Sequence, residues 1–286
     1  MVAALLGFSL WRSGLAATVG APGAKAEAAQ LAEPITVSRP QQRDQPPAAH
    51  LSSVALAEQT MAFEALKLRA KQGDAAAQRE LALTYEKCVE ASYRQDEFVP
   101  LYEWKSKQVG DPSQAAVRVR VAKERAQACK SVDGGALIPA ELIKGWLEQA
   151  AKNGDLAAQV RVAAYSGKAF DEKAVNQFIE RLVKSNDPAA VFMMGDLMGV
   201  PSLQAGGQKY NHVVTSAIDI DAWMVAGCRM GYDCSASSDI MDTLCLDTGI
   251  CGGQDLEEYI RSFKSDEDAQ AFDRKIEEIR RLLQQQ

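Results

Sequence analysis

The sequence has few of the residues on which catalytic and nucleic-acid-binding sites depend. It contains two histidines in 286 residues, His50 and His212, too few for a histidine metal site and poorly placed for a catalytic triad. Its net charge is −6 and no long run of Lys or Arg occurs, whereas phosphate binding needs clustered positive charge. Gly206 and Gly207 are not followed by the Lys-Ser/Thr of a phosphate loop. We therefore expect no catalytic residue, cofactor, metal ion or nucleic-acid partner.

Long alternating runs of β-branched residues are also missing, and aromatic residues make up only 7% of the chain. Alanine, the strongest helix former, is abundant. From residue 53 onward the apolar residues follow helical spacing, as in the stripe formed by Leu142, Ile143, Trp146, Leu147 and Ala150. The sequence therefore predicts an all-α fold.

The first 52 residues differ from the rest of the chain. Residues 2–11 form an uninterrupted apolar run, shorter than the roughly 20 residues that cross a bilayer as a helix, and Ala24-Lys25-Ala26 resembles a cleavage site. We interpret 1–26 as a signal peptide or signal-anchor, although no positive residue precedes the run as it does in most signal peptides, with a buried helix as the alternative. Residues 27–52 are predicted to be a disordered Pro/Gln-rich linker, and 53–286 a helical repeat domain. We expect an exported, periplasmic protein with a possible inner-membrane tether.

Six cysteines beside a signal-like segment indicate three disulfides, formed by Cys88, Cys129, Cys228, Cys234, Cys245 and Cys251. Six cysteines allow 15 pairings, among which the sequence alone does not select. Gly231 and Gly249 each lie between two cysteines and can end a helix and turn the chain back, so we propose Cys228–Cys234, Cys245–Cys251 and Cys88–Cys129. The alternative is a four-cysteine zinc site within 228–251, although its five-residue spacings exceed the two to four of structural zinc sites.

One twelve-residue pattern occurs twice, as AKQGDAAAQREL at 70–81 and AKNGDLAAQVRV at 151–162. Its Gly-Asp pair suits a turn between helices, because glycine tolerates the left-handed conformation after one helix and aspartate caps the next. Four such pairs are predicted to be helix-turn caps: Gly73-Asp74, Gly110-Asp111, Gly154-Asp155 and Asn186-Asp187. Their spacing is typical of two-helix repeats, which predicts an α-solenoid of stacked antiparallel helix pairs.

The stretch 145–174 resembles the Sel-one-like repeats, which are relatives of the tetratricopeptide repeats. Trp146, the Ala150-Ala151 pair and Gly154 match the family's pattern, and Trp223 and Gly231 repeat the Trp-to-Gly spacing. The resemblance covers about residues 65–231 and implies an α-helical scaffold for protein contacts. The family has no shared catalytic residue to carry over.

Two further segments each allow two interpretations. The C-terminal residues Ala269, Phe272, Ile276, Ile279 and Leu283 are spaced three and four apart, as in a helix with one apolar seam. This helix either caps the last repeat or binds a partner helix or a second copy. The segment 192–198, FMMGDLM, is either core or an adaptable methionine-rich surface.

These features together favour a non-enzymatic exported adaptor or scaffold that binds a protein or peptide through its helical-repeat surface. Two alternatives stay open from the sequence. One is an envelope enzyme whose carboxylate site is assembled on the solenoid. The other is a structural zinc protein that uses the Cys228–Cys251 cluster.

Overall fold

The computed structural model describes residues 53–166, 172–198, 209–210, 213–214 and 217–284. The proposed export segment 1–26 and linker 27–52 lie outside these residues, as do His50 and His212. The fold below is that of the described part of the chain.

The described residues are helical and contain no strand, so the predicted all-α class is confirmed. The first group of helices is α1 (Ser53–Lys71), α2 (Ala75–Arg94), α3 (Phe98–Ser106), α4 (Pro112–Cys129), α5 (Ala140–Lys152) and α6 (Leu156–Tyr165). The second group is α7 (Glu172–Ser185), α8 (Pro188–Met198), α9 (Ala217–Arg229), α10 (Asp239–Thr248), α11 (Leu256–Arg261) and α12 (Asp266–Leu283). Short 3₁₀ turns, Gln95–Glu97 and Asp133–Gly135, precede α3 and α5.

Long apolar helices of the kind that span a bilayer are not found among the described residues.

At the four predicted turns an aspartate begins the helix by accepting hydrogen bonds from its free backbone amides. The side chains of Asp74 and Asp155 accept from amides three residues later at 3.0 and 2.7 Å, and that of Asp111 accepts from Ser113 at 2.8 Å. Asp187 accepts from Ala189 at 2.9 Å. The residues before three of these aspartates have positive φ: Gly73 at 93°, Gly154 at 96° and Asn186 at 49°. Local chemistry therefore sets these helix boundaries.

Gly110 departs from this pattern and is not a left-handed helix cap. Its φ lies outside the positive range, and α3 has already ended at Ser106. The next three residues, 107–109, leave the helix through hydrogen bonds to carbonyls three residues back, at 3.2, 3.2 and 3.1 Å. Such i→i+3 bonds satisfy the last carbonyls of a helix without a left-handed residue.

Two apolar cores hold the helices together. The first core gathers residues of α1 to α5, with Phe63, Tyr85, Phe98 and Tyr102 as its aromatic members. The second gathers residues of α6 to α12 around Trp223, whose indole nitrogen donates to the carbonyl of Val213 at 2.8 Å. The methionine-rich segment 192–198 belongs to the second core, since its apolar side chains are buried.

Helix α12 covers the second core from one side. Its seam residues Phe272, Ile276 and Ile279 are buried, and the helix packs against α9 and α7. The apolar face of α12 is thus buried against helices of the same chain. The structure favours the capping interpretation over a partner-helix contact.

Helix α10 breaks the simple order of a linear stack, in which each repeat contacts only its neighbours. It follows α9 in sequence yet packs against α4, about 120 residues earlier in the chain. Cys245 and Leu246 of α10 are buried in the first core, whereas Met241 and Leu244 are buried in the second. Helix α10 therefore joins the two cores.

Candidate functional site

The two copies of the twelve-residue pattern form the same local structure. Gln78 donates its side-chain amide to the carbonyl of Ala70 at 2.9 Å, and Gln159 donates to the carbonyl of Ala151 at 3.0 Å. The glutamine thus ties the start of one helix to the end of the previous helix in both copies. This contact explains why a glutamine lies four residues after the aspartate in both copies of the pattern.

The two turns also contact each other. Asn153 of the second turn donates to the side-chain oxygen of Gln78 at 2.9 Å, and Arg79 donates to both carboxylate oxygens of Asp155 at 3.0 Å. The exposed fraction of the Asp155 side chain is 6%. The repeated turns therefore lie side by side, and their aspartates serve as caps and ion-pair partners.

Helix α7 makes a similar contact to the second copy of the pattern. Arg181 of α7 donates to the side-chain oxygen of Gln159 at 2.5 Å, as Asn153 does to Gln78 one turn earlier. Each of the two repeat glutamines therefore accepts a hydrogen bond from the following helix pair. The two Gly-Asp turns of the pattern thus lie one after the other along this series of contacts and do not meet in one cleft.

The densest group of charged residues surrounds Arg161 of α6. Arg161 donates to Glu86 of α2 at 2.8 Å and to the hydroxyl of Tyr165 at 2.8 Å, and its Nε lies 3.8 Å from a carboxylate oxygen of Asp196 on α8. Burial lowers the pKa of the Arg161 guanidinium, but Glu86 and Asp196 outweigh this effect and raise it. Burial is also the main cause that raises the pKa of Tyr165. Three helices thus meet at one permanently charged arginine.

The arrangement of these groups does not suit acid–base catalysis. Glu86 and Asp196 converge, but the guanidinium of Arg161 binds both of them. Burial raises the carboxyl pKa of Asp221 and of Asp242, yet these residues belong to α9 and α10, and Asp221 already binds Lys264 at 2.8 Å. A carboxylate pair needs two groups with opposed roles at one substrate position. Neither set of described residues provides such a pair.

The six cysteines form three disulfides with the proposed pairing. Cys88–Cys129 ties α2 to the end of α4, with 5.4 Å between the Cα atoms. Cys228–Cys234 and Cys245–Cys251 close loops just after α9 and α10. The four sulfurs of residues 228–251 are bonded in pairs, so they are not available to zinc as thiolates. Among the described residues no other group of potential ligands converges as a metal site requires.

Two buried arginines of α4 hold helix α10 in place. Arg118 donates from Nε to the carbonyl of Leu246 at 3.0 Å, and Arg125 donates to the hydroxyl of Thr243 at 3.0 Å. Because Leu246 lies in the last turn of α10, Arg118 satisfies a carbonyl that the helix itself leaves free. Burial lowers the pKa of Arg118. These contacts explain how α10, although distant from α4 in sequence, packs against the first core.

Large apolar side chains are exposed mainly in the first half of the described residues. Five of the seven belong to residues 61–137; the full set is Met61, Leu68, Tyr93, Trp104, Leu137, Ile250 and Phe263. Exposed apolar groups that lie next to one another are a feature of protein-binding surfaces, whereas single ones occur on most proteins. Two surfaces follow from their positions: the outer face of α3, and one face of α1.

The outer face of α3 presents Trp104, which is 60% exposed, with the exposed Pro100 one turn before it. The opposite face of the helix is fixed, because Phe98 and Tyr102 are buried in the first core. Tyr102 also donates its hydroxyl to Glu90 at 2.8 Å. Burial, with Glu90, raises the pKa of this phenol. Trp104 therefore stands on a helix whose position is set by its neighbours.

Sequence reasoning missed both the Arg161 group and the exposed faces. Arg161, Glu86 and Asp196 lie on three helices and carry no common sequence signal. The α1 face did leave a signal, because Ala57, Met61, Ala65 and Leu68 are spaced four, four and three residues apart. Helix α1 therefore carries two apolar stripes, this exposed one and the one that packs into the first core.

Comparison of the chain with protein-family models, with curated proteins and with solved structures finds no match. The resemblance to Sel-one-like repeats therefore rests on the residues that suggested it.

Proposed function

We propose that this protein is a non-enzymatic exported adaptor that binds a protein or peptide partner through its helical surface. Its helix pairs stack as in an α-solenoid from α1 to α8, and α10 closes back on this stack. The partner contact is centred on Trp104 and Pro100 of α3. The repeat resemblance implies the same kind of function.

The observation that carries this proposal is the exposure of Trp104 on a fixed helix. Burying an exposed large apolar side chain contributes roughly 1.5–3 kcal/mol, and tryptophan is among the residues most enriched at the energetic centres of interfaces. Because Phe98 and Tyr102 already fix α3, little ordering entropy opposes binding. A rigid, exposed tryptophan is therefore well suited to anchor a partner.

The disulfides support an exported protein. Three disulfides fit an oxidising compartment, in which such bonds form and persist. We propose the periplasm, with residues 1–26 acting as a signal peptide or as an inner-membrane tether, and residues 27–52 acting as a linker. The adaptor would then present its helical surface to other envelope proteins.

Site-specific photo-crosslinking in cells tests this function. A photoreactive amino acid replaces Trp104 in the full chain, and a matched variant carries it at Gln270, an exposed position of α12. We expect a discrete adduct from position 104 and none from position 270. Mass spectrometry then identifies the crosslinked protein.

Binding of the identified partner is measured next with purified proteins. We expect Trp104→Ala to weaken binding at least tenfold, while circular dichroism and thermal unfolding stay unchanged because the side chain is exposed. A lack of adducts at position 104, or unchanged affinity in a folded Trp104→Ala protein, would exclude the α3 face as the partner site.

A further inference from the structure

Helix α1 has apolar residues on two opposite faces. Phe63, Leu66 and Ala70 lie on the inner face, where the ring of Phe63 meets that of Tyr85 edge-on at 5.8 Å. The outer face carries four exposed residues, which we name the α1 stripe: Ala57, Met61, Ala65 and Leu68. Met61 is 64% and Leu68 57% exposed. A helix at the edge of a protein normally shows one apolar face, so the second face points to a partner.

We propose that the α1 stripe binds the α1 stripe of a second copy of this chain, with the two helices antiparallel. The proposal is independent of the partner site on α3, because Trp104 belongs to a different helix.

The sizes of the stripe residues are self-complementary in this orientation. A twofold axis at the level of residue 63 places Met61 of one copy beside Ala65 of the other. The same axis places Leu68 beside Ala57. Each large side chain thus meets a small one, which is the pattern that lets helices interdigitate. Because both copies use the same patch, the contact closes as a dimer.

The charges beside the stripe favour the antiparallel orientation. Glu58 and Arg69 lie eleven residues apart, close to three helical turns, so they occupy the same flank at opposite ends. The twofold axis brings Glu58 of each copy opposite Arg69 of the other, which forms two ion pairs. In a parallel twofold pair the two copies of this flank would lie on opposite sides of the interface, so Glu58 and Arg69 would not meet. Arg69 binds Asp74 in its own chain through two nitrogens, yet its side chain is 55% exposed and it has further donors.

The small size of the stripe limits the affinity. It runs over residues 57–68, roughly three turns or 17 Å of helix. Two such faces bury less than the roughly 1,200 Å² of most stable complexes. We therefore expect a weak dimer with a dissociation constant on the order of micromolar.

Sedimentation velocity of the oxidised full chain over a concentration series tests the proposal. We expect a monomer–dimer equilibrium that Met61→Glu/Leu68→Glu weakens at least tenfold. Leu137→Glu, which places the same charge at an exposed leucine outside the stripe, should leave it unchanged. These variants keep residues 1–52 intact, so association through the N-terminal segment would not respond to them.

Charge exchange tests the orientation. Glu58→Arg and Arg69→Glu should each weaken the dimer, and the double variant should restore it, with circular dichroism to check the fold after loss of the Arg69–Asp74 pair. A chain that stays monomeric to about 1 mM, or a dimer indifferent to the stripe variants, would overturn the proposal. So would a photo-crosslinker at Met61 that captures only another protein.

Discussion

The first and second cores of this protein both bury the apolar faces of helices, but they are built from different residue types. The first core, from α1 to α5, uses tyrosines whose hydroxyls reach carboxylates at the surface: Tyr85 donates to Asp133 and Tyr102 to Glu90. The second core, from α6 to α12, uses Trp223 and methionines, and its helices approach closely at glycine. Exposed large apolar residues concentrate around the first core.

This difference indicates that the two halves have different tasks. The second core buries the apolar faces of its helices, including the seam of α12. The first core leaves two apolar faces uncovered, on α1 and on α3. Two buried arginines of α4, Arg118 and Arg125, bind α10 and so hold the two halves together. The second half thus completes the fold, and the first half offers the surfaces on which we place partner binding and self-association.

The largest expected contrast concerns the disulfides. The chain-entropy model gives about 4 kcal/mol for a closed loop of about 42 residues and about 2.4 kcal/mol for one of about 7. Replacing Cys88 and Cys129 by alanine should therefore lower the free energy of unfolding more than replacing Cys228 and Cys234. Urea unfolding of the two double variants measures both losses. Equal losses would show that the long disulfide is not the dominant restraint.

The Arg161 group is a buried polar link between the two cores. Arg161→Met leaves Glu86 and Asp196 without their shared cation, and we expect a loss of about 3 kcal/mol in unfolding free energy. Arg181→Met, at an exposed arginine of α7, should cost less than about 1 kcal/mol. Adding Glu86→Gln to Arg161→Met should recover part of the loss, because it removes one of the uncompensated carboxylates. Urea unfolding compares the three variants, and similar losses for both arginines would contradict this assignment.

A Gly-to-Ala substitution should have opposite effects on stability in the two cores. A Cβ at Gly227 of α9 would lie 2.6 Å from the backbone nitrogen of Phe192, whereas one at Gly145 of α5 meets nothing within 4 Å. We expect Gly227→Ala to destabilise the fold by about 3 kcal/mol through overpacking. Gly145→Ala should stabilise it by about 0.5–1 kcal/mol, because alanine is the better residue inside a helix. Thermal unfolding should thus shift in opposite directions; shifts of the same sign would refute the close approach of α8 and α9.

The smallest effect concerns Asp133 of the first core. Burial opposes its ionisation, but hydrogen bonds from Lys67 and Tyr85 outweigh burial and lower its pKa. The resulting stability is present above the unfolded-state pKa of about 3.9 and is lost as the pH falls through the lower folded-state pKa. Asp133→Asn should cost about 1 kcal/mol at pH 7, since it removes a partly exposed ion pair.

Asparagine suits this test because φ at Asp133 is 47°, a region that asparagine also tolerates. The deficit of the variant should begin to shrink in urea unfolding below about pH 4, where the carboxyl of the unfolded wild-type chain becomes protonated, and should vanish below the lower folded-state pKa. A deficit that stays constant down to pH 2 would show that the ion pair does not stabilise the fold.

Much of the local structure could be predicted from the sequence. The Gly73-Asp74 and Gly154-Asp155 turns follow from the left-handed tolerance of glycine and the capping ability of aspartate. The pairings of Cys228 with Cys234 and of Cys245 with Cys251 follow from short spacings around a glycine. Gly110 shows the limit, because a helix can also end through i→i+3 hydrogen bonds without a left-handed residue.

The helical class, the helix boundaries at three Gly/Asn-Asp turns and the short-range disulfides were therefore determined by the sequence itself, because each depends on atoms within a few residues of one another. The return of α10 to α4, the carboxylates that surround Arg161 and the uncovered face of α1 were decided only by the tertiary structure. Each depends on how the surfaces of distant helices fit together. The sequence of α1 shows two apolar faces, and either of them could be buried. Only the packed molecule shows which face is buried and which stays exposed.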